Sequence, residues 1–295
     1  MALAPKFFRE VSTAESTRFP RTRACFHWGI TLSGVTHSAR LLVYGARGSD
    51  KPAAASSGNI LLDSLPPTAR EKLGCRLVRL APRQRVHDGC RRLKYALFPV
   101  SGFVSLLMVT DHKPIEVGVI GKEGFFGLPV ILGINRSPMV AIAQTHGEVI
   151  RVEAASLLEQ VQANPSFAAA IARYAYAFNI MLAQGSVCRG LHQIEQQCVK
   201  WLLMAHDRLQ QDTFPLTHQM LAQRLSVRRA TVSKVADSLK RRKLIGYEKG
   251  QVAILDRAGL ERAACSCYGT IRQAFVTASG EAGGRVLTHT TSRYR

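Results

Sequence analysis

The densest set of chemically capable side chains lies between residues 217 and 249, where nine Lys/Arg face two acids, a local balance of +7. Arg228, Arg229, Thr231, Ser233 and Lys234 fall within one short segment, with Lys240-Arg241-Arg242-Lys243 and Lys249 following. These side chains do not form a catalytic set. Guanidinium and ammonium groups bind phosphate oxygens, and arginine also matches the hydrogen-bonding edge of guanine; hydroxyls reach either kind of acceptor. Neutralising phosphates releases counterions and supplies sequence-independent affinity. An ordinary solvated helix face accounts for one or two such residues, but poorly for a basic cluster laid over ordered apolar spacing.

The remaining reactive residues are scattered. Seven cysteines, an odd number at irregular spacing, fit reduced thiols better than a disulfide framework. The one close pair, Cys265-x-Cys267, reads as a helix end near the surface, and no metal ligand or cofactor is assigned. His87, His112 and His146 stand alone, as surface or turn residues. There is no HExxH, no GxxxxGK[ST] and no nucleophile elbow, so no enzyme activity is expected.

The elements that must position the basic residues follow from the apolar spacing. Thr217 is an N-cap whose hydroxyl can accept a free backbone N–H. A helix over 218–225 buries Leu221, Ala222 and Leu225, with the small Ala222 where a second helix crosses closely. Ser226-Val227 makes a tight turn, and a helix over 228–242 buries Val232, Val235, Ala236 and Leu239. Two short helices joined this way make a helix-turn-helix, whose second helix enters a DNA major groove by its first turns. Two short strands around Lys249-Gly250 then form a wing, and residues 256–265 a closing helix.

The whole chain, 295 residues, holds two ordinary domains. Its formal charge of +20 suits a polyanion: nucleic acid first, an anionic membrane surface second. No stretch is long and apolar enough to span a membrane and no signal peptide is evident, so a cytoplasmic protein is expected. Residues 1–58 read as a basic leader with eight Lys/Arg and three acids. Two readings stay open for it, a nucleic-acid-binding arm or a translated upstream region without structural role, and disorder is the expectation. Residues 59–163 make one domain, in which short Val/Ile/Leu/Phe runs over 77–152, broken by Gly, Pro and Asp about every ten residues, predict a sandwich or a jelly-roll barrel between a short helical entry and a helix over 154–162. Residues 164–190 predict a long helix: Phe167, Ala170, Ile171, Tyr174, Ala177, Phe178, Met181 and Leu182 recur at three and four, which suits packing against its own domain and a partner subunit. Residues 191–268 form the winged helix-turn-helix, and 269–295 a disordered tail.

Residues 216–245 and the wing resemble the helix-turn-helix of the Crp/Fnr family of bacterial transcription regulators. Val227-Arg-Arg229, Ile254-Leu-Asp-Arg-Ala-Gly-Leu-Glu261 and Cys265-Ser-Cys-Tyr268 resemble one subgroup of it. Phe98-Pro-Val-Ser-Gly102 through Gly121-Lys-Glu-Gly-Phe-Phe-Gly127 is similar to the family's cyclic-nucleotide-binding-like jelly-roll. The resemblance implies an α+β protein: an N-terminal β jelly-roll, a long dimerisation helix and a C-terminal winged helix-turn-helix. It implies double-stranded DNA, a second copy of the chain and RNA polymerase as partners, and a palindromic target site. It places Thr217 and Gln219 at phosphate-contacting positions, and Arg229 and Lys234 at base-reading or phosphate-contacting ones. Ala230 stands where several members carry a base-reading Glu, and Ser226 replaces the usual turn glycine. The effector site departs further. Gly127 is followed by Leu128-Pro129 where nucleotide binders carry a Gly-Glu pair, although Arg136-Ser137 is kept, so an effector other than a cyclic nucleotide is expected. Two other readings stand beside this one: a small-molecule sensor with an incidental basic end, and a non-specific nucleic-acid binder. The second of these lacks the aromatic stacking surface expected for single strands.

Overall fold

The computed structural model describes residues 56–110 and 113–287. The expectations for residues 1–55, His112 and 288–295 fall outside them. Residues 56–58, read above as the end of the leader, are part of the fold: Ser56 Oγ and Ser57 N donate to the carboxylate of Asp63.

Two short helices open the described chain, α1 (Ile60–Asp63) and α2 (Pro67–Glu71). The buried Asn59 caps α1 by accepting from the N–H groups of Leu61 and Leu62, and its amide donates to the carbonyls of Pro99 and Gly124. Next come β1 (Arg76–Leu80), β2 (Arg85–Asp88), β3 (Tyr95–Ser101), β4 (Val104–Thr110) and β5 (Lys113–Ile120). A one-turn helix α3 (Leu128–Ile131) separates these from β6 (Val140–Ala143) and β7 (Gly147–Glu153). The strands form two antiparallel sheets, β1-β7-β3 and β2-β6-β4-β5. Their inner faces meet over Phe98, Leu106, Ile120 and Phe125, as alternation along half-buried strands requires.

Helix α4 (Ala154–Ala163) leads through Asn164 into α5 (Pro165–Leu191), which starts with proline at its first position, where the missing N–H costs nothing. The apolar series from Phe167 to Met181 points into the chain's own core. Tyr174 is fully buried, donates to the Phe125 carbonyl and is packed so tightly on the barrel that a Cβ at Gly124 would collide with its ring. The sequence expectation that this same series also meets a partner subunit is therefore corrected: its own barrel and the C-terminal helix use that face.

The second half comprises α6 (Ile194–Leu209), β8 (Thr213–Pro215), α7 (His218–Leu225), α8 (Arg229–Arg241), β9 (Ile245–Glu248), β10 (Gln251–Ile254), α9 (Arg257–Ala263) and α10 (Ser266–Leu287). β8 joins the hairpin to make an antiparallel sheet β8-β10-β9. The expected disordered tail from residue 269 is also corrected, since Gly269 to Leu287 continue as α10. Gly280, Gly283 and Gly284 read as helix breakers, but Ile271, Phe275 and Ala278 recur on one face and are buried. The helix lies against α5, with Phe275 beside Tyr174 and Arg173 Nε donating to the Ala278 carbonyl. Tertiary packing overrides weak local propensity here. The one departure from helical backbone within α10 is a kink at Gly280, with φ of 67°.

Candidate nucleic-acid interface

Helix α8 has two clearly different sides. Val232, Ala236 and Leu239, at spacings of four and three, are buried against α7, α6 and β9. Arg229, Ala230, Lys234, Asp237, Lys240 and Arg241 are exposed on the other side, and Arg228 is exposed as the N-cap. The N-terminal turn therefore carries arginines where the positive end of the helix dipole also favours an anion.

The supporting helix is fixed by local chemistry. Thr217 Oγ1 accepts from Met220 N at 3.1 Å, the cap its sequence suggested. Helix α7 ends on Ser226 in the left-handed region, φ 55° and ψ 40°, and the Val227 N–H returns to the Ala222 carbonyl. A serine there costs about 1–2 kcal/mol against a right-handed residue, and the turn keeps its geometry. Gln219 is exposed on the first turn of α7.

The remaining residues assigned from sequence differ in availability. Ser233 Oγ donates to the Arg229 carbonyl at 3.2 Å and lies 2.9 Å from His218 Nδ1, so it braces α8 on α7. Thr231 is half-buried. Lys249 is exposed at the wing tip, with its ammonium 3.5 Å from Glu248. His218 stacks on Tyr247 of the wing with ring centroids 4.3 Å apart, and the Tyr247 hydroxyl accepts from His218 N–H. Burial pushes the His218 imidazole below its ordinary range; Arg229 and Lys240 add to this and Asp237 opposes it. Arg242 binds Glu195 at 2.6 Å and Ser238 binds the same carboxylate, tying the end of α8 to α6.

One basic residue of the 217–249 cluster faces away from this surface altogether. Arg224 is buried: its Nε donates to Glu116 Oε2 of β5 at 3.1 Å, its Nη2 meets Gln144 Oε1, and its guanidinium lies 4.5 Å over the Trp201 ring. Trp201 Nε1 and Ser105 Oγ donate to the same carboxylate at 2.6 and 2.5 Å, and Arg189 of α5 reaches the Glu116 carbonyl. One glutamate thus joins barrel, α5, α6 and α7. Sequence patterning missed this joint, because a lone Glu in a strand and an Arg on an otherwise basic helix carry no spacing signal.

The assigned effector residues are engaged within the barrel. Arg136 Nη1 donates to the Cys90 carbonyl at 3.0 Å, and the buried Ser137 Oγ accepts from Met139 N. Gly127 has φ of 141°, and a Cβ there would sit 2.9 Å from that of Ala96, so its backbone requires glycine. Cys265 and Cys267 are both buried, which corrects the reading of a helix end near the surface.

Residues 196–263 match the family of Crp-like helix-turn-helix domains. Several solved structures share the fold. A CRP-family transcriptional regulator from Thermus thermophilus is 20% identical, with a TM-score of 0.53 over 63% of this chain and 96% of its own. One described as a putative transcriptional regulator of the crp/fnr family, from Eubacterium rectale, is 13% identical, with a TM-score of 0.56 over 70% and 99%. The c-di-GMP-responsive global regulator CLP of Xanthomonas campestris is 15% identical, with a TM-score of 0.52 over 65% and 100%. No curated protein matches.

Proposed function

We infer that this chain, of the Crp/Fnr type by its helix-turn-helix domain and its fold, is a DNA-binding transcription regulator that acts as a dimer on a palindromic site. The observation that carries the reading is the two-sided α8, with Val232, Ala236 and Leu239 inward and Arg229, Lys234, Lys240 and Arg241 outward. The outward residues suit base edges at the N-terminal turns and phosphates at the far end. Thr217, Gln219, Arg228 and Lys249 flank that helix and suit the phosphate backbone. Thr231 and Ser233 support it: Ser233 is already spent on His218.

The dimer reading rests on the outer face of α5. Ala169, Ala172, Tyr176, Asn179, Ala183, Ser186 and Gly190 are all exposed and recur at three and four. Tyr176 is 64% exposed and Val187 and Leu191 stand beside the stripe, 43% and 79% exposed. Small residues at this spacing allow two helices to approach closely, in coiled-coil fashion. An effector other than a cyclic nucleotide fits Leu128 in place of a carboxylate, and Arg136 committed to a backbone carbonyl. RNA polymerase and a cytoplasmic location belong to the same proposal.

Selection of genomic fragments on the full chain, followed by binding at several salt concentrations, tests it. The expected result is a two-fold symmetric motif with half-sites about one helical turn apart. Enrichment of random fragments alone would overturn it.

A further inference from the structure

Three buried thiols outside the main apolar core gather at one point. Cys188, Cys265 and Cys267 form a buried cluster of their own, and His192 joins them from the C-cap of α5. Cys188 Sγ lies 3.6 Å from Cys265 Sγ, and Cys267 Sγ lies 3.5 Å from His192 Nδ1. All four potential ligand atoms fall within 4.8 Å of one another. We propose that Cys188, His192, Cys265 and Cys267 form a mononuclear binding site for a thiophilic divalent cation, Zn2+ in the first instance.

The spacing carries the argument. A tetrahedral zinc with bonds of about 2.3 Å to sulfur and about 2.0 Å to nitrogen has S···S edges of about 3.8 Å and S···N edges of about 3.5 Å. The two separations above sit at those edges. A disulfide brings its sulfurs to about 2.05 Å and would leave the third thiol and the imidazole without a role. An iron–sulfur cluster spreads its ligands around two or more irons, wider than this group.

The backbone supports the same geometry. Cys188 and His192 are four apart, so they share a face at the end of α5, and the His192 N–H donates to the Cys188 carbonyl. Gln197 Nε2 donates to the His192 carbonyl, fixing that residue where α5 gives way to α6. On the other side Cys265 and Cys267 flank the first residue of α10, and the Tyr268 N–H donates to the Cys265 carbonyl. Charge also balances. Binding Zn2+ releases three thiol protons to solvent and leaves three thiolates, one neutral imidazole and the ion, a net −1. The Lys200 ammonium lies near Cys188 and Cys267, which compensates that charge.

The site stands at both ends of the winged helix-turn-helix, since α6 to α9 lie between His192 and Cys265. An ion there fixes the α5–α6 junction, and with it the orientation of α8. It closes a long loop, where a crosslink restricts the unfolded chain most.

The test uses the full chain, purified without chelator or histidine tag. Elemental analysis is expected to give about one zinc per chain. Replacement by Co2+ is expected to give the visible bands of a tetrahedral ion with thiolate charge transfer. His192→Ala, which keeps all three sulfurs, is expected to weaken Co2+ binding at least tenfold. Peptide mass spectrometry after maleimide labelling should show Cys188, Cys265 and Cys267 protected until a chelator is added, which keeps the test decisive if cysteine variants fail to fold. Four results would overturn the proposal: no bound metal and no tetrahedral Co2+ spectrum; iron with acid-labile sulfide; a Cys188–Cys265 disulfide in anaerobically prepared protein; or labelling of all three thiols regardless of chelator.

Discussion

Arg224 of the helix-turn-helix and Glu116 of the barrel are paired at 3.1 Å with both side chains almost wholly out of solvent. The pair closes a circuit with Trp201, Ser105 and Arg189, so a carboxylate in a strand sets where the DNA-binding domain rests. Removing one member strands the other charge, which costs about 3–5 kcal/mol, more than the intact pair contributes. Arg224→Met is therefore expected to destabilise the protein by about 3 kcal/mol. Adding Glu116→Gln should recover part of that loss, because the amide oxygen still accepts from Trp201 Nε1 and its NH2 can donate to the Ser105 hydroxyl, without a charge. Urea unfolding of the two single variants and the double variant checks this, and strictly additive losses would contradict it.

Arg229 and Lys240 sit at opposite ends of the exposed face of α8, and their loss should differ in kind. Arg229→Ala is expected to relax or abolish sequence preference, with a discrimination loss of about 1–3 kcal/mol if the side chain reads a base. Lys240→Ala should weaken binding to all duplexes alike and reduce the salt slope by about one. Titrations of operator and random DNA at several salt concentrations separate the two. Equal loss on both DNAs in the Arg229 variant would remove it from base reading.

The outer stripe of α5 gives a prediction independent of DNA. Ala183→Glu places a carboxylate between the small residues of the proposed dimer face. It is expected to convert a dimer into monomers in light scattering while leaving the barrel folded, since Ala183 is exposed. An unchanged dimer would move the interface elsewhere.

His218 makes the helix-turn-helix sensitive to acid. Its folded pKa lies below the ordinary value of 6.5, chiefly through burial, with Arg229 and Lys240 adding repulsion. The unfolded chain therefore takes up the proton first as pH falls. The stabilisation is fully present above pH 6.5 and is lost as pH falls through 6.5 towards the folded pKa. His87 is lowered in the same direction by burial, so the comparison must be with a variant. The thermal midpoint of wild type should fall more between about pH 7.5 and about pH 5 than that of His218→Gln, and equal falls would count against the assignment.

The basic helix was legible in the sequence because a period of about 3.6 records burial directly. Val232, Ala236 and Leu239 announce which side is inward, so Arg229 and Lys240 are outward by default. The jelly-roll texture was legible from its turns for the same local reason. Two kinds of information were not. Arg224 looks like any other cation of the cluster, and only the fold brings Glu116, more than a hundred positions earlier, beneath it. Cys265 and Cys267 form half a ligand set whose other half lies some 75 residues upstream, so neither half has the spacing of a metal motif by itself. Helix α10 was missed because its glycines argue against a helix locally while its stabilisation comes from α5.

The pairing of α5 with α10 also bears on how the protein could be taken apart. The chain leaves the α5 end at Cys188 and comes back to within 3.6 Å of it at Cys265. The winged domain between them is topologically an insertion in a helical hairpin, with entry and exit side by side. Such an excursion can be exchanged without moving the scaffold provided the graft supplies partners for the buried Glu116, as Trp201 and Arg224 do here. Grafting another winged helix between those two points should change the DNA addressed while keeping the barrel and its helical spine, which makes the DNA-binding domain an interchangeable cassette.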